Sequence, residues 1–169
     1  MRCFIGVPLT QEIREELTAL GKKLGKSDAR MKLVEPENLH ITMKFLGEID
    51  TNEANEVKKL LNKIKEKPFN TKLTHLGAFP NKNYIRVLWV GIGEGKEKLK
   101  SIHDQIAHEK NYEPHITIAR LKSRPDEVVM RLFEEELNLD MTVERIQLIE
   151  SRLTPKGPGY FEVFAVELG

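Results

Sequence analysis

The sequence predicts an α+β fold built from two similar lobes. Two observations carry that expectation. Short segments of alternating apolar and polar residues are interleaved irregularly with helical periods, and several are joined by links of hairpin length, which argues against a regular parallel α/β sheet. One motif, His-Ile-Thr after a Pro-containing turn, occurs once in each half of the chain, as Glu35-Pro36-Glu37-Asn38-Leu39-His40-Ile41-Thr42 and as Glu113-Pro114-His115-Ile116-Thr117.

The elements follow in order. Arg2–Val7 is an apolar run that reads as a strand, closed by Pro8. Thr10 caps a helix over Gln11–Leu24, with Ile13, Leu17, Leu20 and Leu24 on one face. Met31–Val34 is a short strand, Glu35–Asn38 a turn, and Leu39–Leu46 an alternating strand. Asp50 and Glu53 have capping-box spacing for a helix reaching about Lys65. Phe69–Ala78 and Tyr84–Ile92 are strands joined by the loop Phe79–Asn83. Glu94–Lys110 is helical, with Leu99, Ile102 and Ile106 inward, and His115–Leu121 is a strand. Pro125 opens a helix that runs to about Leu137. Leu139–Glu150 and Tyr160–Leu168 are strands around the loop Thr154–Gly159.

The chain of 169 residues suits one domain over 1–169, two lobes sharing a core. Hydrophobic residues at 40% and charged ones at 31% give a globular balance. Lys and Arg total 27 against 26 Asp and Glu, a net charge of +1, which excludes a protein that coats a polyanion; contact with nucleic acid must be local. Cys3 is alone, so no intrachain disulfide and no cysteine-based zinc site can form. The first apolar run is short and lacks a cleavage site, and no run approaches the ~18 apolar residues that span a bilayer. A cytoplasmic protein with no membrane contact is expected.

Side chains alternate along a strand, so His40 and Thr42 share one face while Ile41, Met43 and Phe45 take the other; His115 and Thr117 stand likewise against Ile116 and Ile118. Lobes related by a pseudo-twofold axis would oppose the two polar faces across one cleft. Two imidazoles and two hydroxyls there suit phosphoryl transfer involving a ribose hydroxyl. Free His titrates near 6.5, so one imidazole takes a proton while the other gives one. The threonine hydroxyls donate to non-bridging phosphate oxygens. The chemistry calls for no metal and no cofactor.

At these residues the chain resembles the two-histidine phosphoesterase superfamily and, within it, the RNA 2′,3′-cyclic phosphodiesterase family, also called 2′-5′ RNA ligases. Leu39–Gly47 carries the first His-x-Thr-x motif and Pro114–Arg120 the second. Met1–Val7, Arg86–Gly91 and Leu153–Pro158 resemble the family's first strand, mid-chain strand and late loop. The resemblance implies mainly antiparallel sheets in two lobes flanking a central cleft, with helices outside. It implies metal-independent hydrolysis of a terminal 2′,3′-cyclic phosphate on RNA to a 2′-phosphate, and 2′-5′ ligation of tRNA halves. It makes His40 the proton donor and His115 the proton acceptor, with Thr42 and Thr117 binding the phosphate; the near-symmetric motifs themselves leave that direction open. A monomer is expected. A non-catalytic module that binds a nucleotide or RNA end is the competing reading, but pure binding does not need an acid–base pair.

Lys44 has the parity of His40 and Thr42, so it is a candidate substrate contact or an exposed edge lysine. Arg120 is a candidate contact only if the strand bends, since strict alternation turns it away. Arg86 is read as a contact or as half of a surface ion pair. Tyr160 and Phe161 are candidates to stack a base, with at least one buried. His75, His103 and His108 read as ordinary, partly exposed residues. His103 and His108 lie about 140° apart around a helix and make poor metal ligands together.

Overall fold

The computed structural model describes all 169 residues, Met1–Gly169. The elements are β1 (Arg2–Pro8), α1 (Gln11–Leu24), β2 (Met31–Leu33), a 3-10 turn (Pro36–Asn38), β3 (His40–Glu48), α2 (Thr51–Asn62), β4 (Phe69–Asn81), β5 (Tyr84–Ile92), α3 (Lys96–Ile106), β6 (His115–Leu121), α4 (Glu127–Glu134), β7 (Leu139–Val143), β8 (Arg145–Thr154) and β9 (Gly157–Glu167). The strands form two sheets, in orders β3-β1-β8-β9 and β2-β6-β5-β4-β7. Every ladder is antiparallel. One cluster of buried apolar residues draws on both sheets and on the helices, so the lobes share a core. The helices reach across: α1 leaves β1 yet packs on β6, β7 and α4, and α3 leaves β5 yet packs on β3.

Local chemistry sets the helix starts. The Thr10 hydroxyl accepts from the Ile13 amide, and Asp50 and Glu53 form a reciprocal capping box. Four expectations are corrected. α2 ends at Asn62. α3 is trimmed at both ends, because Gly95 is left-handed (φ 87°) before it and Ala107 is extended after it. α4 starts at Glu127 behind the Asp126 cap, so Pro125 lies outside its first turn, and it stops at Glu134 where Glu135 turns extended. The run Leu139–Glu150 is two strands in different sheets. Met141 and Val143 are buried, then Ile146 and Leu148, so the alternation slips by one residue at Glu144, where the chain crosses between lobes. Both expected loops shrink to tight turns, at Lys82-Asn83 and Pro155-Lys156, as the flanking strands extend.

The two lobes repeat one ladder. Gly6, Val7 and Pro8 of β1 face Thr42, Ile41 and His40 of β3; Trp89, Val90 and Gly91 of β5 face Thr117, Ile116 and His115 of β6. Both ladders then slip at the same place. Ile5 pairs with Lys44 and leaves Met43 as the extra residue, while Leu88 pairs with Ala119 and leaves Ile118. Each is a β-bulge at the third residue after the motif histidine.

Candidate active site

The bulges decide which side chains reach the cleft. Past an extra residue the alternation changes phase, so Ile118 and Ala119 are both buried and Arg120 comes out on the face of His115 and Thr117. The structure therefore supplies the bend that Arg120 needed. In β3 the same slip brings out Phe45, 72% exposed, and Lys44 is not carried into the cleft. Lys44 instead pairs with Glu109, whose carboxyl is held below its usual range, chiefly by the Lys44 hydrogen bond.

β3 and β6 lie against one another where the sheets meet. A pocket of about 210 Å³ at this junction is lined by His40, Thr42, Thr117 and Arg120, together with Phe45 and Tyr160. His115 does not line this pocket; it stands two residues before Thr117 on β6, near enough for its charge to act on His40. Asn38, Lys32 and Lys156 also reach the pocket. Sequence reasoning did not select Phe45, Asn38, Lys32 or Lys156. The usable signal for Phe45 was its match to Arg120: each is the fifth residue after a motif histidine.

Both imidazoles are locked the same way. His40 Nδ1 lies 2.6 Å from the Asn38 carbonyl and His115 Nδ1 lies 2.7 Å from the Glu113 carbonyl. A carbonyl only accepts, so each Nδ1 carries a hydrogen and each Nε2 is left to move a proton. His40 Nε2 is 2.8 Å from Thr42 Oγ1.

Aromatic rings fix each imidazole. Phe4 stacks on His40 at 4.6 Å and Tyr160 meets it edge-on at 5.2 Å. Phe79 and Trp89 flank His115 at 5.0 and 5.7 Å. Trp89 in turn covers Gly77, where an added Cβ would lie 2.2 Å from the indole. Burial lowers the His40 pKa to about 4; the Asn38 carbonyl opposes that shift, and the like charge of His115 reinforces it.

A further layer holds β3 in place. The Tyr112 hydroxyl donates to the Thr42 carbonyl at 2.7 Å and touches Met43 Sδ at 3.2 Å, so it grips the bulge. Burial raises the Tyr112 pKa. Its ring stacks on His103 at 4.0 Å, and His103 reaches Glu109, the partner of Lys44, at 3.3 Å. His103 is fully buried, a correction to its expected partial exposure. His75 and His108 are exposed. Tyr160 is half-buried against His40, whereas Phe161 lies under Arg152 at 4.5 Å. Arg86 makes no ion pair and lies over Tyr84, outside this pocket. No group of three or more His, Cys, Asp or Glu that could hold a metal ion is present.

A duplicated ladder that brings two His-x-Thr strands to one pocket, in two antiparallel lobes, is the architecture of a two-histidine phosphoesterase. The model of the LigT-like phosphoesterase family matches residues 7–89 and again 90–160, and the chain belongs to this family. Relatives named RNA 2′,3′-cyclic phosphodiesterase include proteins of Methanocaldococcus jannaschii (36% identical, covering 95% of this chain and 96% of the relative) and Archaeoglobus fulgidus (33%, 99% and 100%). A crystal structure from Thermus thermophilus superposes with a TM-score of 0.77 at 30% identity, over 99% of this chain and 98% of that one. Escherichia coli LigT complexed with 3′-AMP shares the fold, with a TM-score of 0.82 at 23% identity over 99% and 96%.

Proposed function

We propose that this protein hydrolyses the 2′,3′-cyclic phosphate at the end of an RNA, leaving a 2′-phosphate. The observation that carries the reading is the meeting of Thr42, Thr117 and Arg120 around one pocket, beside two imidazoles that each have Nδ1 tied to a backbone carbonyl. The curated relatives bear the name of this activity.

The substrate phosphodiester carries one negative charge. Thr42, Thr117 and Arg120 donate to its non-bridging oxygens and hold phosphorus in line. His115 Nε2 takes a proton from water as the water oxygen bonds to phosphorus. The bond from phosphorus to the ribose 3′-oxygen breaks, and His40 Nε2–H protonates that oxygen. In the free protein burial keeps His40 neutral at pH 7. The arriving anion acts the other way, because an opposite charge nearby favours the imidazolium, the form that His40 needs in order to give a proton.

A 5′-hydroxyl in the place of water gives a 2′-5′ linkage by the same proton transfers, and this extends the proposal to tRNA halves. In this reading the enzyme acts as a cytoplasmic monomer, with both proton transfers made by its own imidazoles rather than by a metal ion. The test is to incubate the protein, with and without EDTA, with RNA ending in a 2′,3′-cyclic phosphate. Conversion to a 2′-phosphate in both samples is the expected result. A 3′-phosphate product, or turnover only with added metal, overturns it. Recovery of a tightly bound but unchanged cyclic phosphate would favour the binding-module reading.

A further inference from the structure

A second groove, of about 610 Å³, lies past the catalytic pocket in the direction of β6, between the start of β5 and the loop that follows β6. Tyr84, Arg86, Lys122 and Arg124 line it, and no carboxylate does. None of the three cations is in an ion pair. In a chain with a net charge of +1, three cations around one depression with no acid among its lining residues are a local excess of positive charge.

The backbone aims them. Phe79 pairs with Val87 and Pro80 with Ile85, so Arg86 is the extra residue of another bulge. Ile85 and Leu88 are buried, and Arg86 emerges exposed between them, beside Val87. Val87 is the ladder partner of Arg120. Lys122 and Arg124 continue β6 past Leu121. The Lys122 amide donates to the Arg30 carbonyl at 2.7 Å, and the Ser123 hydroxyl accepts from the Arg30 amide at 2.7 Å, which pins the loop. Asp126, the acid nearest in sequence, is turned away: its carboxylate accepts from Ser27, Asp28 and Val129. The Arg86 guanidinium lies 5.1 Å from the Tyr84 ring centre, and Tyr84 is 56% exposed. The guanidinium Nε and Nη2 donate to the Tyr84 hydroxyl at 3.1 and 2.6 Å, which holds cation and ring together, and an exposed aromatic ring beside a cation is a stacking platform for a base.

We propose that this groove binds the single-stranded RNA body 5′ of the cyclic phosphate, with Arg86, Lys122 and Arg124 on successive backbone phosphates and Tyr84 under a base. The inference rests on the RNA reading of the catalytic pocket. Continuity supports it: β6 carries Thr117 and Arg120 at the pocket and leads directly into Lys122 and Arg124. At ~3.3 Å per residue, Lys122 lies roughly 16 Å along the strand from Thr117, a distance an RNA chain covers within a few nucleotides.

The test compares the wild type with the triple variant Arg86→Ala/Lys122→Ala/Arg124→Ala. A single-stranded RNA of roughly ten nucleotides ending in a 2′-phosphate is the binding probe, read by fluorescence anisotropy across a salt series. The variant is expected to bind roughly 10- to 100-fold more weakly, and its log–log salt slope should be shallower by roughly 2, near 0.7 for each phosphate no longer neutralised. Hydrolysis of a nucleoside 2′,3′-cyclic phosphate, which is too short to reach the groove, should be unchanged. Wild-type affinity and slope in the variant would overturn the proposal and leave the groove to another kind of partner. An equal loss on nucleotide and oligonucleotide would overturn it too, since the cations would then act on the catalytic pocket or the fold. If the wild type cleaves neither cyclic phosphate, the catalytic reading falls, and the binding measurement still decides the groove.

Discussion

The two halves of the site share a backbone and differ in what surrounds it. In each, a His-x-Thr strand bulges at the third residue after the histidine, and Nδ1 is tied to the carbonyl two residues earlier. The strand opposite then makes the difference. Facing Thr42 is Gly6, which lets the His40 ring lie over β1 against Phe4; facing Thr117 is Trp89, which itself flanks His115. Five residues after each histidine stands a ring in one half, Phe45, and a cation in the other, Arg120. A repeat yields two like proton-transfer groups in like poses. Only unlike neighbours can give them opposite work in one reaction.

Removing either imidazole tests that division most severely. His40→Ala and His115→Ala should each lower kcat by roughly 10²–10⁴, about 2.7–5.4 kcal/mol of barrier. If both act in one step, the double variant should lose little more than the worse single variant. Losses that multiply in single-turnover assays would mean that the two groups serve separate steps.

The lowered pKa of His40 separates the halves next. The unfolded chain takes up this proton near pH 6.5, the folded one only near pH 4, so between those values the unfolded state binds more protons. Stability should therefore rise with pH across that window and level off above it. The span is on the order of 3 kcal/mol, and His40→Gln should remove its share. Denaturant melts of both proteins from pH 4 to 7 measure it; parallel curves would contradict the burial argument. The same group should take up about one proton when a 2′-phosphate product binds at pH 6–7, seen as a buffer-dependent heat of binding.

Gly6→Ala acts on one half alone. The new Cβ would sit 3.1 Å from the Ile41 carbonyl and 3.2 Å from His40 Cδ2. The ring can swing aside, but the contact with the carbonyl is relieved only if β1 and β3 move apart by a few tenths of an ångström, so both the pose of His40 and its strand are disturbed. A cost of about 1–3 kcal/mol is expected, together with loss of rate. Unchanged activity would mean that the pose of His40 is less constrained than its Phe4 and Tyr160 contacts imply.

How much of this was legible in the sequence follows from which interactions are local. The capping box at Asp50 and Glu53, the face of α1 and the shared orientation of His40 and Thr42 depend on near neighbours, and all are observed. The bulges at Met43 and Ile118 are set by pairing with distant strands. Strict alternation therefore left Lys44 a candidate for the cleft, when it is the edge lysine that the sequence also allowed, and left Arg120 conditional on a bend. The phase slip at Glu144 was visible as a change in the buried parity, yet reading Leu139–Glu150 as one strand passed over it. His103 offered no signal, because its burial comes from Tyr112 folding back from the loop after α3.

Tyr112 is the smallest and most one-sided lever. β3 is the edge strand of its sheet, and Tyr112 reaches it from the loop before β6, donating to the carbonyl of Thr42 beside the bulge. Tyr112→Phe keeps the ring on His103 and removes only that donor, at a cost of about 1 kcal/mol for the carbonyl left unpaired. The hydroxyl does not touch the pocket, so KM should change little while kcat falls as Thr42 and His40 loosen. NMR titration of the two imidazoles gives the decisive readout. The His40 signal should move and the His115 signal stay, because Tyr112 touches the first motif strand alone. Equal displacement of both would mean that the lobes are coupled through this loop and that their difference is not set locally.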